Sequence, residues 1–155
     1  MINKFYTLVF CLFLFSCSDT SNIIYDKSKP ITDNAWFAKD KKELWLEITQ
    51  NKIAYKLSLN VRVTNEYRFS NLFILLKIHG PQKELQTKRL EFQLASKEGD
   101  WLGSGSGNIY TFRIPITKDL KFNHNGVYNF EIEQDMRDNP LRGVVDIGLR
   151  IEKNQ

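Results

Sequence analysis

The stretch Lys56-Leu57-Ser58-Leu59-Asn60-Val61-Arg62-Val63 decides the fold class. Apolar and polar residues alternate strictly along it, and successive side chains of an extended strand point to opposite faces. Leu57, Leu59, Val61 and Val63 therefore face a core, while Lys56, Ser58, Asn60 and Arg62 face water. The same period of two recurs on both sides. Upstream, Leu44, Leu46 and Ile48 alternate with Trp45, Glu47 and Thr49. Downstream, it runs through Leu90, Phe92 and Leu94, then Tyr110, Phe112, Ile114 and Ile116. It ends with Tyr128, Phe130 and Ile132, and with Val145, Ile147, Leu149 and Ile151. Leu72 to Leu76 is the exception, five apolar residues in a row, as in a central strand covered on both faces. Pro115 lacks a backbone donor and fits a strand edge or end.

No apolar period of 3.6 persists anywhere. Strands over 43–49, 54–64, 72–79, 86–95, 109–117, 127–134 and 144–152, with turn residues between them, predict an all-β fold. The expected form is a single antiparallel two-sheet β-sandwich, Ig-like or jelly-roll-like, over residues 36–153. Leu59, Val61, Phe92, Phe112, Phe130 and Leu149 should be buried together. A chain of 155 residues with 42% hydrophobic and 26% charged residues has the composition of one globular domain, not of a low-complexity chain.

Residues 1–16 read as a signal peptide, with Lys4 followed by the uncharged run Phe5 to Phe15. That run is shorter than the roughly 20 residues a spanning helix needs. Leu14-Phe15-Ser16-Cys17 resembles the bacterial lipobox, which implies cleavage before Cys17 and lipid, palmitate included, on that residue. Two or more acyl chains hold a protein firmly at a membrane. Cys11 would leave with the signal, so no disulfide supports the fold. Residues 17–35 read as a polar tether, although Ile23, Ile24 and Tyr25 could form a short strand. Extended from Cys17 to about Lys42, such a tether would reach roughly 85 Å.

Removing the signal takes away Lys4 and no acid, so the net charge falls from +4 to +3. The densest basic cluster, Lys39, Lys41 and Lys42, has Asp40 inside it. Basic residues alternate with acids along strands, which is not the basic aromatic face that nucleic acid requires. His79 and His124 stand far apart with no ligand spacing around them, so no metal and no cofactor are expected. Gly103-Ser104-Gly105-Ser106-Gly107 matches neither a nucleophile elbow nor a dinucleotide loop, since its centre is Gly105 and a strand follows. Glu131 and Glu133 share one strand face about 6.6 Å apart, within the range of inverting glycosidases. Alternating acids on a wet face give the same spacing without chemistry.

In an antiparallel sandwich every second loop lies at the same end. The loops 65–71, 96–108 and 135–143 should then share one rim, and they hold Tyr67, Phe69, Trp101, Gly103, Gly105, Gly107 and Arg137, with Arg68 and Arg142. Loops on a rigid scaffold are the usual seat of binding, and aromatics and Arg are enriched at interface hot spots. This rim is the candidate partner-binding site; the alternative is that Trp101 folds under its own loop. The opposite rim, near 80–85 and 118–126, holds ordinary turn residues such as Gly80-Pro81 and Asn125-Gly126. Trp36 and Trp45 are further aromatics near strand ends or off the core parity.

Four segments together resemble the gliding-motility lipoprotein GldH family. They are the lipobox followed by Tyr25-Asp26; Asn65-Glu66-Tyr67-Arg68-Phe69-Ser70-Asn71-Leu72-Phe73; Gly99-Asp100-Trp101-Leu102-Gly103 through Gly107-Asn108-Ile109; and Met136-Arg137 followed by Gly143-Val144-Val145-Asp146-Ile147-Gly148-Leu149-Arg150-Ile151-Glu152-Lys153. The resemblance implies a non-enzymatic envelope lipoprotein of gliding Gram-negative bacteria, linked to type IX secretion, whose partners are other envelope lipoproteins and not a small-molecule substrate. It carries no catalytic residue over to this chain. Ser18, rather than an acid, follows Cys17, so the outer membrane facing the periplasm is the expected location. Two other readings stay open: a carbohydrate- or adhesin-binding module using exposed aromatics, and a glycan hydrolase using Glu131 and Glu133.

Overall fold

The alternating stretch at 56–63 forms the middle of a ten-residue strand, β4 (Tyr55–Thr64), and the rest of the fold is laid out around it. The computed structural model describes residues 22–154; the expected signal peptide and Cys17 lie outside the described residues. The other strands are β1 (Ile23–Pro30), β2 (Ala35–Trp36), β3 (Lys42–Ile48), β5 (Asn71–His79), β6 (Leu85–Gln93), β7 (Ser104–Ser106), β8 (Ile109–Leu120), β9 (Gly126–Gln134), β10 (Leu141–Arg142) and β11 (Val144–Lys153). One sheet has the order β1-β11-β4-β8-β7 and the other β3-β9-β5-β6; β2 and β10 form a two-stranded ribbon. Every pairing is antiparallel. The fold is the expected all-β sandwich, and all seven expected strands are present.

The inward residues of both sheets form one hydrophobic core. Leu59, Val61, Phe92, Phe112, Phe130 and Leu149 are all buried in it, as the alternation predicts. The run Leu72 to Leu76 lies in β5, between β9 and β6. Leu72, Ile74 and Leu76 point inward, while Phe73 lies half-buried on the outer face under Arg89, 4.3 Å from its ring centroid. The outer cover is thus a long polar side chain, not a second layer of structure. Pro115 sits in β8 beyond the three residues that β7 covers, where the strand has no further neighbour to receive its missing donor.

One expectation is corrected. Residues 23–30, assigned to the tether, pair with β11 along their whole length, from Ile23 opposite Glu152 to Pro30 opposite Asp146. Tyr25 carries the strand into the core, and Asp26 ties it outward to Arg113 and Arg150 at 3.1 and 3.0 Å. Trp36, outside the core parity of the main strands, is fully buried; its indole N–H donates to the Asp40 carbonyl at 2.7 Å and its backbone pairs with Leu141.

Strand directions then define two ends. The chain enters at Asn22, whose carbonyl accepts from the Lys153 amide at 2.8 Å, and this entry end also holds the loops near 50–54, 80–84 and 121–125. The far end gathers residues 31–41, 65–71, 94–108 and 135–143.

Candidate functional site

Hydrogen bonds at the far end bring the three expected loops together. The Thr64 amide donates to the Gly143 carbonyl at 2.8 Å, Asn65 to Asn108 at 3.1 Å, and Leu94 to Ser70 at 2.7 Å. At Gly143, with φ +83°, a Cβ would stand 2.5 Å from the Tyr67 nitrogen, so only glycine lets loops 65–71 and 135–143 approach this closely.

Under the rim lies an aromatic cluster. Trp101 stacks on Tyr110 with ring centroids 5.0 Å apart, meets Phe112 edge-on at 6.2 Å, and leans on Tyr67 at 6.4 Å. Tyr67 is only 3% exposed; its hydroxyl donates to the Asn71 carbonyl at 2.8 Å, and burial pushes its pKa well above the usual tyrosine value. Phe69 packs edge-on against Tyr67 at 5.8 Å and is half-buried. Of the aromatics singled out from sequence, Tyr67 is therefore a floor of the site, not a contact surface. Trp101 closes the end of the sandwich under its own loop, with partial exposure remaining.

The glycine-rich run becomes a tight hairpin. Residues 104–106 pair with 109–111, and Gly107 turns the chain with φ +62° and no atom near its missing Cβ. A Cβ on Gly103 would stand 2.7 Å from the Thr111 carbonyl. Gly105 and Gly107 are exposed. Their spacing serves the hairpin and its close approach to β8.

The solvent side of the rim is charged. Glu66, Arg68, Phe69, Asp138, Pro140 and Arg142 line a cleft of about 190 Å³. Arg68, Arg137 and Arg142 are exposed. Sequence reasoning found the arginines and missed the acids Glu66 and Asp138 beside them, and it missed the segment 31–41 altogether. The signal for that segment was present: Trp36 followed by Phe37 within a polar stretch is an unusual concentration of apolar surface for a tether.

The other candidate groups fall elsewhere. Glu131 and Glu133 lie on the outer face of the four-stranded sheet, both bound by Lys41 and Lys77. Burial alone would raise the Glu131 pKa, but the Lys77 and Lys41 ammonium groups that donate to it hold it down to about 2. Lys77 is pushed up by its hydrogen bonds to both carboxylates. A carboxyl held this far down is a poor general acid near neutrality. His124 Nδ1 lies 2.6 Å from Glu84 at the entry end. Among the described residues no group of three His, Cys, Asp or Glu gathers as a metal site requires. A shallower cleft of about 380 Å³ on the five-stranded sheet is lined by Asp26, Arg62, Arg113 and Asp146, whose charges already pair with one another or with Arg150.

Comparison with known proteins places this architecture. The sequence profile described as GldH lipoprotein matches residues 23–151, from the start of β1 nearly to the end of β11. The chain belongs to the GldH lipoprotein family. It is similar to the gliding motility lipoprotein GldH homolog of Christiangramia forsetii, at 31% identity over 96% of this chain and 94% of that protein. It is also similar to the gliding motility lipoprotein GldH of Flavobacterium johnsoniae, at 29% identity over 94% of this chain and 93% of that one. Among solved structures, a fructofuranosidase variant from Schwanniomyces occidentalis complexed with fructosylnystose aligns with 88% of this chain and 35% of its own. With a TM-score of 0.39 and 10% identity, that likeness carries no argument. Two glycines of the GldH-like segments, Gly143 and Gly148, are places where another strand or loop passes too close for a Cβ.

Proposed function

We propose that this chain is a lipid-anchored, non-enzymatic envelope protein that serves gliding motility as an interaction or assembly factor for the gliding and type IX secretion machinery. Cys17 carries the lipid, the protein sits at the outer membrane facing the periplasm, and its partners are other envelope lipoproteins. The family and its two named relatives support the motility role. The docking face is the far rim: Arg68 and Arg142 line the cleft with Phe69, Arg137 stands exposed on the loop 135–143, and Tyr67, Trp101 and Tyr110 form a packed floor. This is the observation that carries the reading. A packed aromatic base is already ordered before docking, and arginine is enriched at interface hot spots.

The test is spreading of cells whose only copy carries Arg68→Ala with Arg137→Ala, at wild-type protein level and melting temperature. Loss of spreading, with spreading retained in Thr87→Ala with Lys88→Ala on the outer edge of β6, is the expected result. The reverse pattern would refute the assignment of the rim.

A further inference from the structure

We infer that the entry end of the sandwich, with the adjoining outer face of the four-stranded sheet, rests on an anionic phospholipid surface. The inference depends on the reading that Cys17 is acylated.

The first observation is the length of free chain. Because β1 is bound to β11 from Ile23 onward and Asn22 to Lys153, only the residues between Cys17 and Asn22 separate the lipid from the folded sheet. Five residues reach about 17 Å when extended, against the roughly 85 Å that an unstructured tether to Lys42 would allow. The lipid must therefore emerge beside the loops at 50–54, 80–84 and 121–125.

The second observation is charge. Between 49–56, 79–85, 117–126 and 152–154 the entry end holds Lys52, Lys56, Lys83, Lys118, Lys121 and Lys153. Three acids accompany these six lysines, and Glu47, opposite Val127 on the adjoining outer face, is a fourth, a balance of plus two. All three acids of the entry end are engaged, Glu84 with His124, Glu152 with Arg150, and Asp119 with Lys121. The far end, over 31–41, 65–71, 95–108 and 135–143, has six cations and seven acids. The domain is thus electrically polarised along the axis that the anchor defines. The lysine cluster that was densest in sequence plays no part, since Lys41 and Lys42 are paired with Glu131, Glu133 and Asp40.

The third observation is apolar. Trp45, Asn129, His79 and Leu85 form one row across the four-stranded sheet, each directly opposite the next. Trp45 and Leu85 are each 57% exposed, and Val127, one step nearer the entry end on the same face, is 51% exposed. Three of the five exposed large hydrophobics among the described residues lie here. The headgroup layer accepts both kinds of group: an amphipathic ring at the interface and ammonium groups on phosphates.

The test footprints lysine amines by acetylation and mass spectrometry on the full-length chain, in washed membranes and after detergent extraction. Each lysine held at an anionic surface favours the docked arrangement about fivefold, so Lys52, Lys83 and Lys118 should react about fivefold more slowly in membranes. Lys39 and Lys97, at the far end, should react equally in detergent and in vesicles of the purified chain. The purified chain in phosphatidylcholine vesicles containing a quarter phosphatidylglycerol should show the same protection, and lose it in phosphatidylcholine alone or in high salt. A flat footprint overturns the inference. So does protection in native membranes without protection in the anionic vesicles, which would assign the surface to a protein. Equal protection in neutral vesicles would also overturn it. Cys17→Ser separates the two readings. If it stays membrane-bound with its lipid label, the anchor reading fails; if it is released and the footprint of the wild type is flat, only the docking inference fails.

Discussion

Replacing Gly148 by alanine should unlatch β1. Gly148 lies in β11 opposite Ser28 of β1 and Asn60 of β4. A Cβ built there would stand 2.5 Å from the Ser28 Cα and closer still to the Lys27 carbonyl oxygen. Both obstacles are backbone atoms, so no rotamer change relieves them, and β1 must move. Overpacking of this kind costs about 1–3 kcal/mol. For a domain of this size each kcal/mol lowers the melting temperature by about 4 °C. The loss should be concentrated in one strand, because β1 is a sheet edge held by this single ladder, by Tyr25 and by the ion pairs of Asp26. Hydrogen exchange of Gly148→Ala should accordingly show faster exchange over residues 24–29 and near wild-type exchange in β4 and β9. Freed β1 would also lengthen the chain between anchor and domain, so the lysine footprint at the entry end should weaken in the same variant. Unchanged exchange in 24–29, with a melting temperature within a degree of wild type, would refute the claim that close backbone packing at Gly148 holds this strand.

Phe130→Ala should cost about 3–5 kcal/mol in urea unfolding, since the side chain is 1% exposed at the centre of β9 with Phe122 edge-on at 6.4 Å; a midpoint unchanged from wild type would contradict the parity of the whole sheet. The Glu131 cluster predicts a pH dependence with a definite sign. Its carboxyl titrates near 2 in the folded protein and near 4.5 when unfolded, so its contribution is complete above about 4.5 and is lost as the pH falls toward 2. Glu131→Gln should flatten that part of the stability profile, and an equally steep acid limb in the variant would count against it.

The period of two made most of the fold legible, because most of the main strands carry apolar residues on one face and polar residues on the other. It failed where that condition fails. The first strand carries Asp26, Lys27, Ser28 and Lys29, and four polar residues in a row conceal any alternation; only Tyr25 is buried from it. Its membership in the sheet is written instead in β11, through Gly148. Trp36 stands outside any alternating stretch, so its burial is not legible locally; Leu141, which pairs with it, is more than 100 positions away in sequence. The far rim was legible as a set of alternate loops, since antiparallel connectivity requires it. Which of its aromatics are floor and which are surface was not legible, because that depends on Tyr67 finding a hydrogen-bond partner at Asn71 and Trp101 finding Tyr110. The polarity of the domain was hidden for the same reason: the lysines of the entry end come from four separate segments and form no run.

The most direct test of the account is photo-crosslinking in intact gliding cells, with a crosslinking residue placed at Arg137 on the far rim or at Lys83 at the entry end, and the adducts read by mass spectrometry. The account predicts protein adducts with other envelope lipoproteins from position 137 and lipid adducts from position 83. Protein adducts from position 83 with none from position 137 would contradict it.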